Sequence, residues 1–344
     1  MIHNMEKIRL GRTNLMASRC GFGAIPIQRI SDAEAIAILR AAFAGGVNYY
    51  DAARGYTTSE RRIGQALGDV REQIIIATKT HAQTAEKLEE DLATSLSELG
   101  CGYIDIYQFH NPPFVPRPHE PDGLYDAALK AKAAGKIRHI GISSHRLELA
   151  KEMVASGLFE TMQFPMSLLA SDGEIGLVKL CKEHDVGFIA MKGLAGGLIT
   201  NAKSAFAFLR QFDNVIPIWG IQYMWQLEEF LGYEKNPPAL DDEIWKLINK
   251  DKEELSGGFC RACGYCQPCP AGIRINQAAR MRLLLGRTNW RRLVDEQNRE
   301  AMRRINNCTN CRHCIEHCPY NLDTPSLLRE NLAYYEKFVA EHES

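Results

Sequence analysis

The chain has 344 residues, 45% hydrophobic and 24% charged, an ordinary globular composition at a length for which two domains are the default expectation. A formal net charge of -1 gives no general attraction to nucleic acid or an anionic membrane, so neither is expected as a partner. No apolar run is long enough to span a bilayer.

In chain order, Lys7-Ile8-Arg9-Leu10-Gly11-Arg12-Thr13-Asn14-Leu15 has turn residues at its centre and predicts a hairpin. Eight short apolar, β-branched runs follow at regular intervals. They are Arg19–Gly23, Val47–Asp51, Ile74–Thr80, Tyr103–His110, His139–Ser143, Thr161–Pro165, Gly187–Lys192 and Val215–Trp219. Several are nearly continuous hydrophobic runs, as strands buried on both faces of a parallel sheet should be. Helical patterns separate them, with start signals such as Ser31-Asp32-Ala33-Glu34, and Thr84 ahead of Leu88, Leu92, Leu96 and Leu99. Eight βα units point to an α/β fold, a closed (β/α)8 TIM barrel, with the hairpin capping one end. A doubly wound open sheet is the alternative, but no G-x-G-x-x-G follows the first strand. Asn236-Pro237-Pro238 marks a linker, which divides the chain into a barrel, 1–238, and a small, mainly helical domain, 239–344.

The second domain carries eight of the eleven cysteines in two bursts: Cys260, Cys263, Cys266, Cys269-Pro270, and Cys308, Cys311, Cys314, Cys318-Pro319. The second burst reads C-x2-C-x2-C-x3-C-P and resembles the run by which bacterial ferredoxins hold a [4Fe-4S] cluster. The first has one residue fewer before its last cysteine. That resemblance implies two [4Fe-4S] clusters in a ferredoxin-like domain, with the fourth cysteines crossed. Cys260, Cys263, Cys266 and Cys318 would hold one, and Cys308, Cys311, Cys314 and Cys269 the other. Structural zinc is the alternative, although zinc sites usually pair two separated C-x2-C hooks. A disulfide framework does not suit a sequence without a charged and then apolar leader, so the expected compartment is reducing, most simply the cytoplasm. Cys20, Cys101 and Cys181 are scattered and read as core residues. Between the bursts, Arg274 to Arg304 holds nine arginines, downstream of an acid-rich stretch from Glu228 to Glu254. These segments either pair with each other and lie as solvated faces, or dock an acidic carrier such as a ferredoxin or flavodoxin.

Catalysis in such a barrel belongs at the C-terminal strand ends. Asp51 ends the second strand with Tyr56 in its loop, Lys79 ends the third and His110 the fourth. Singly, each has a plain explanation as a loop cap, a solvated end, a half-buried ring or a satisfied core residue. Together they are harder to dismiss. Over roughly residues 7 to 230 the sequence resembles the aldo-keto reductases. The matching stretches are Tyr50-Asp51-Ala52-Ala53-Arg54-Gly55-Tyr56, Ser59 to Leu67, Ala77-Thr78-Lys79, Asp105 to His110 and Gly135 to Ser143. The resemblance implies a catalytic tetrad of Asp51, Tyr56, Lys79 and His110. Hydride reduction of a carbonyl leaves negative charge on oxygen, which a positioned acid must protonate. Tyr56 is expected as that acid, Lys79 as its tuner, Asp51 as the partner that keeps Lys79 charged, and His110 as the substrate orienter.

The same resemblance implies NADP(H) or NAD(H) at the barrel mouth, held by Gly23, Ala24, Ser143, Gln163, Met191, Gly193, Gly197, Gly220 and Gln226. Three departures bear on this. Ser144 follows Ser143 where many members have asparagine. Met191-Lys192 stands where many stack an aromatic ring on the nicotinamide. Ile216 to Gln222 lacks the family's Lys-Ser pair, and Phe230 replaces an adenine-touching asparagine. The coenzyme preference is therefore not legible. The whole chain resembles fusions of such a barrel to a two-cluster tail, which implies oxidation or reduction of a small carbonyl or alcohol linked to iron-sulfur electron transfer. Two alternatives stay open: cluster-driven one-electron reduction without nicotinamide, and a redox-sensing or interaction role with architectural clusters.

Overall fold

The computed structural model describes residues 5–255, 258–288 and 290–342. An antiparallel pair comes first, β1 (Lys7–Arg9) with β2 (Met16–Ser18). Strands and helices then alternate: β3 (Gly21–Gly23), α1 (Asp32–Ala44), β4 (Tyr49–Asp51), α2 (Ser59–Leu67), β5 (Ile75–Thr80), α3 (Ala85–Leu99), β6 (Ile104–His110), α4 (Leu124–Ala133), β7 (Ile137–Ser143) and α5 (Leu147–Ala155). The series continues through β8 (Thr161–Pro165), α6 (Asp172–Glu183), β9 (Gly187–Met191), α7 (Ala202–Arg210), β10 (Val215–Gly220) and α8 (Met224–Lys235). Strands β3 to β10 are parallel and close into a barrel in the order β10-β3-β4-β5-β6-β7-β8-β9. This is the expected (β/α)8 fold.

The helix start signals are realised as caps. Ser31 and Ser171 each form a reciprocal box with the glutamate three residues on, and Thr84 Oγ1 accepts from the Lys87 amide at 3.3 Å. Strands β3 and β4 are shorter than the apolar runs that contain them. Asn48, inside the second run, turns its side chain to the hairpin exit instead: its Oδ1 accepts from the Ser18 amide at 2.7 Å, and its own amide donates to Ser18 Oγ at 3.1 Å.

The hairpin closes the N-terminal end of the barrel. Leu10, 1% exposed, packs in one cluster with Tyr49, Ile75, Ile189 and Ile216. A Cβ on Gly187 would stand 2.5 Å from the Leu10 side chain, and one on Gly11, at φ +51°, would stand 2.3 Å from the Gly187 nitrogen. Glycine is required at both positions. Arg12 fastens the turn, donating to the carbonyls of Gly157 (2.7 Å) and Phe159 (2.6 Å).

By packing, the chain forms two units: residues up to Gly193 together with Ala202–Ile248, and Leu194–Asn201 together with residues from Asn249 on. Helix α9 (Asp242–Glu254) crosses the boundary. The second unit contains α10 (Ile275–Ala278), α11 (Met281–Arg287), α12 (Glu296–Arg303), α13 (His313–Glu316) and α14 (Thr324–His342) around a core that includes Ile273, Met281, Met302, Ile305 and Leu328. Part of the arginine-rich stretch is spent internally. Arg287 pairs with Asp251 at 2.8 Å and with Glu254, and Arg303 pairs with Glu296 at 2.8 Å. Among the described residues no helix is long and apolar enough to cross a membrane.

Leu10→Ala removes the plug of the barrel's lower end, where backbone glycines leave nothing able to refill the space. We expect a loss of about 2–5 kcal/mol in urea unfolding followed by far-UV circular dichroism; an unchanged midpoint would contradict the plug.

Candidate functional site

Strand register brings the expected residues to one end of the barrel. Asp51, Lys79, His110 and Ser143 lie at or next to the last position of β4, β5, β6 and β7, and Ser143 stands opposite both His110 and Gln163. Tyr56 is placed by a tight turn between β4 and α2: its amide donates to the Ala53 carbonyl at 2.9 Å, and its carbonyl accepts from the Ser59 amide at 2.8 Å. The amides of Ala52 and Arg54 donate to the carbonyls of Ala77 and Lys79, which locks this loop to β5.

Lys79 is 1% exposed and its ammonium donates to Asp51 Oδ1 (2.8 Å), Asp51 Oδ2 (2.7 Å) and the Ala52 carbonyl (2.6 Å). Burial draws both partners toward their neutral forms, raising the Asp51 pKa and lowering that of Lys79, while their mutual attraction opposes it. Hydrogen bonds from Gln163 and Gln108 to the carboxylate reinforce the opposition. The Lys79 ammonium lies 5.2 Å from the centre of the Tyr56 ring. Burial, and then the Asp51 charge, push the phenol's pKa well up, so Tyr56 rests protonated as a proton donor must. Its ring meets that of His110 edge-on, with centres 6.0 Å apart. His110 is held neutral, chiefly by burial and then by the neighbouring charges of His81, Lys79 and His145. Its Nδ1 is buried without a partner among the described groups.

Three contributors escaped sequence reasoning. His81 stacks on His110 with ring centres 3.8 Å apart. It follows Lys79 by two residues, past the strand end where alternation stops being a guide. Gln108 Nε2 donates to Gln163 Oε1 at 3.0 Å and also supports Asp51. Its signal was present, since it sits two residues before His110 on the inward face of β6. His145 is 5% exposed behind Ser143 and Ser144, and its amide donates to Asn111 Oδ1 at 3.0 Å.

The residues expected at a nicotinamide coenzyme have mixed surroundings. Ser143 Oγ accepts from the Asn111 amide at 3.1 Å, and Gln163 is engaged with Gln108 and Asp51. The Ala24 amide donates to the Asp51 carbonyl, and Gly23 lies against the Trp219 backbone. Met191 is half-buried at its strand end, and Gly220 is exposed beside Pro26. A Cβ on Gly193 would meet the Trp219 ring at 2.6 Å. Gln226 Oε1 accepts from the amides of Gln222 and Tyr223 and so caps α8. Phe230 stacks on Trp219 at 4.4 Å and is 2% exposed, a core residue. In the second unit, Gly197, at φ +90°, faces open space.

All eleven cysteines are unpaired. Cys20 and Cys181 are buried, and burial alone pushes the Cys181 thiol to about 12, as inert core thiols should be. In the second unit, Cys269, Cys308, Cys311 and Cys314 line one hollow, although Cys269 belongs to the other burst. The Cys260 thiol is raised chiefly by burial, and both Cys263 and Cys318 raise it further. Cys266 is pushed up to about 12 by burial, then by Cys260 and Cys263. Among the described residues, no three His, Cys, Asp or Glu side chains converge as ligands of a single metal ion.

Residues 19–211 match the family described as "Aldo/keto reductase family", and residues 259–323 match "4Fe-4S dicluster domain". Over 220 residues, 57% of this chain and 64% of the relative, the sequence is 31% identical to the aldo-keto reductase YhdN of Bacillus subtilis. The chain thus spans less than two thirds of that protein. Over 229 residues, 57% of this chain and 69% of the relative, it is 29% identical to the NADH-specific methylglyoxal reductase of Escherichia coli. The fold is also similar to a crystallised aldo-keto reductase from Klebsiella pneumoniae in complex with NADPH. That likeness has a TM-score of 0.62 at 19% identity, covering 72% of this chain and 94% of the other.

Lys79→Met leaves the Asp51 carboxyl buried with no cation, a loss of about 3–5 kcal/mol in stability. Its folded pKa then lies further above the unfolded value of ~3.9. The folded carboxyl holds its proton more tightly than the unfolded chain does. That contribution is complete below the unfolded pKa and is lost as pH rises through the folded one. We expect the variant's deficit against the natural chain to widen from mildly acidic to alkaline pH in urea unfolding. Parallel curves would show that Asp51 does not depend on Lys79 for its charge.

Proposed function

Because the chain belongs to the aldo/keto reductase family and carries a 4Fe-4S dicluster domain, we propose that it interconverts a small carbonyl and its alcohol with a nicotinamide coenzyme, and that two [4Fe-4S] clusters serve electron transfer. The observation that carries the first part is the buried Lys79–Asp51 pair beside a protonated Tyr56 and a neutral His110. When bound, the coenzyme supplies or accepts a hydride. The chain's own residues handle the proton and the oxygen. His110 lacks a partner on Nδ1, so one ring nitrogen is a spare polar group beside Tyr56, suited to holding a carbonyl or hydroxyl oxygen. The Tyr56 hydroxyl gives its proton to that oxygen as negative charge develops there. Asp51 keeps Lys79 charged, and the ammonium near the ring steadies the phenolate that remains. In the alcohol-oxidising direction the phenolate takes the proton back.

Within the barrel unit, Ser143, Gln163, Met191, Gly23, Ala24 and Gly220 surround the strand ends and suit the coenzyme's ring end. Gln226 is occupied as a helix cap and Gly193 abuts Trp219. That occupation favours a second reading, in which electrons from the clusters reduce a substrate without nicotinamide. Cys260, Cys263, Cys266 and Cys318 would hold one cluster and Cys269, Cys308, Cys311 and Cys314 the other. The shared hollow, and the nearness of Cys318 that raises the Cys260 thiol, support the crossed pairing. Thiols arranged about a hollow suit a polynuclear cluster better than one tetrahedral zinc. We read the chain as two domains, 1–238 and 239–344, in a protein of the cytoplasm, although by packing 239–248 goes with the barrel and 194–201 with the second unit. An acidic ferredoxin or flavodoxin is the proposed electron partner, with no nucleic acid or membrane.

An anaerobic titration of the cluster-loaded protein with NADPH and with NADH separates the readings. Bleaching of the visible cluster band as nicotinamide is consumed supports the first. If only dithionite reduces the clusters, direct exchange between coenzyme and clusters does not occur. Tyr56→Phe should lower carbonyl turnover by at least ~10²-fold with coenzyme affinity unchanged. Undiminished turnover would remove Tyr56 as the acid.

A further inference from the structure

Arg280 stands just before α11, is 8% exposed and has no role in the chemistry above. Its Nη1 donates to the Gly196 carbonyl at 3.0 Å, within the second unit. A Cβ on Gly196 would stand 2.9 Å from that nitrogen and 3.7 Å from the Cβ of Ala262, which lies between Cys260 and Cys263 in the same burst. The Ala262 amide in turn donates to Cys260 Sγ at 3.4 Å. Arg280 therefore spans from segment 194–201 to the turn that carries Cys260. Its Nε is buried and has no hydrogen-bond partner among the described groups. A buried guanidinium rarely leaves a donor unused, because the lost hydration is not recovered. Of the charged groups in this unit, Cys260 is the one whose charge couples to the Arg280 guanidinium.

We infer that Arg280 is a positioning residue that ties the first iron-sulfur cluster to segment 194–201, its Nε–H reserved for a sulfur at the Cys260 corner while Nη1 holds the Gly196 carbonyl. The inference rests on the cluster reading above. A donor to a cluster or thiolate sulfur stabilises the reduced, more negative state and raises the reduction potential. With the sulfur in place the guanidinium is fixed at both ends, and so is the backbone it holds. Segment 194–201 is irregular: Ala195, Gly196 and Gly197 all have positive φ, and the amides of Gly197 and Ile199 share the Leu194 carbonyl. Arg287 is a further tie, its Nη1 donating to the Leu198 carbonyl at 2.9 Å.

The test uses the full chain, anaerobically loaded with iron and sulfide, as the natural protein, Arg280→Gln and Arg280→Lys. Iron analysis comes first. Well under about eight iron atoms per natural chain, the complement of two [4Fe-4S] clusters, would remove the cluster reading and this inference with it. With full loading, dithionite titration followed by electron paramagnetic resonance should show one of the two potentials falling in Arg280→Gln. We expect about a tenfold change in that cluster's one-electron equilibrium, ~59 mV, with the other cluster unmoved. Arg280→Lys, which keeps the charge without the forked donors, should shift the same potential by less. Hydrogen exchange of residues 194–201 should slow when the natural chain is loaded and show no such response in Arg280→Gln. If Arg280→Gln does not load, Arg280→Lys carries both readouts. Unmoved potentials with an unmoved exchange response, or an equal shift of both clusters, would overturn the assignment.

Discussion

An ammonium inside a barrel keeps its charge only if something else in the barrel keeps an opposite one, and the site is organised around that constraint. Moving either ion out of water costs several kcal/mol even after relaxation, so the Lys79–Asp51 attraction must be supplemented by further hydrogen bonds. The supplements are visible: the Ala52 carbonyl accepts a third bond from Lys79, and Gln108 and Gln163 both reach the carboxylate. Two strands besides the two that carry the pair, β6 and β8, thus contribute a group to it, together with the loop after β4. The consequence reaches beyond the pair. Gln163 faces the strand ends where a ligand would lie, yet its amide is also structural, so substrate or coenzyme contacts there would draw on the same hydrogen bonds that keep Lys79 charged.

The electrostatics of Tyr56 follow from the same arrangement. Lys79 is so fully matched by Asp51 that it leaves little net positive charge for the phenol, and burial dominates. The resting site therefore stores its proton on tyrosine. Lys79 becomes useful only as negative charge forms, when preorganised charge is worth more than it is to the ground state.

The barrel was legible because strands buried on both faces write themselves as unbroken apolar runs, and because Asp51, Lys79 and His110 interrupt those runs at their ends. What lay outside a local pattern was not legible. Gln108 looked like one more polar residue in a β-run, since its partner Gln163 is two strands away in the barrel order. Asn48 shortened its strand by bonding Ser18, thirty residues earlier. Gly193 to Gly197 read as a flexible loop, and nothing nearby marked Arg280 as the anchor of Gly196 or Arg287 as that of Leu198, 84 and 89 positions from the carbonyls they hold. Phe230 read as the replacement of a ligand contact, whereas it fills the core against Trp219 because an aromatic ring stacks best where both faces are dry.

The hairpin plug sets an order of events during synthesis. Leu10 leaves the ribosome long before the surface it packs on, at Gly187, and before the carbonyls that Arg12 needs, at Gly157 and Phe159. Strand β3 likewise waits for β10. The hairpin can pair with itself, and β3 with β4, soon after synthesis, but the packing surface of Leu10 and the second edge of β3 stay uncovered through most of translation. Contacts this distant along the chain slow folding and prolong exposure. Lys7, Arg9, Arg12 and Arg19, in and beside the hairpin, give that early segment the kind of charged residues that blunt an exposed strand edge.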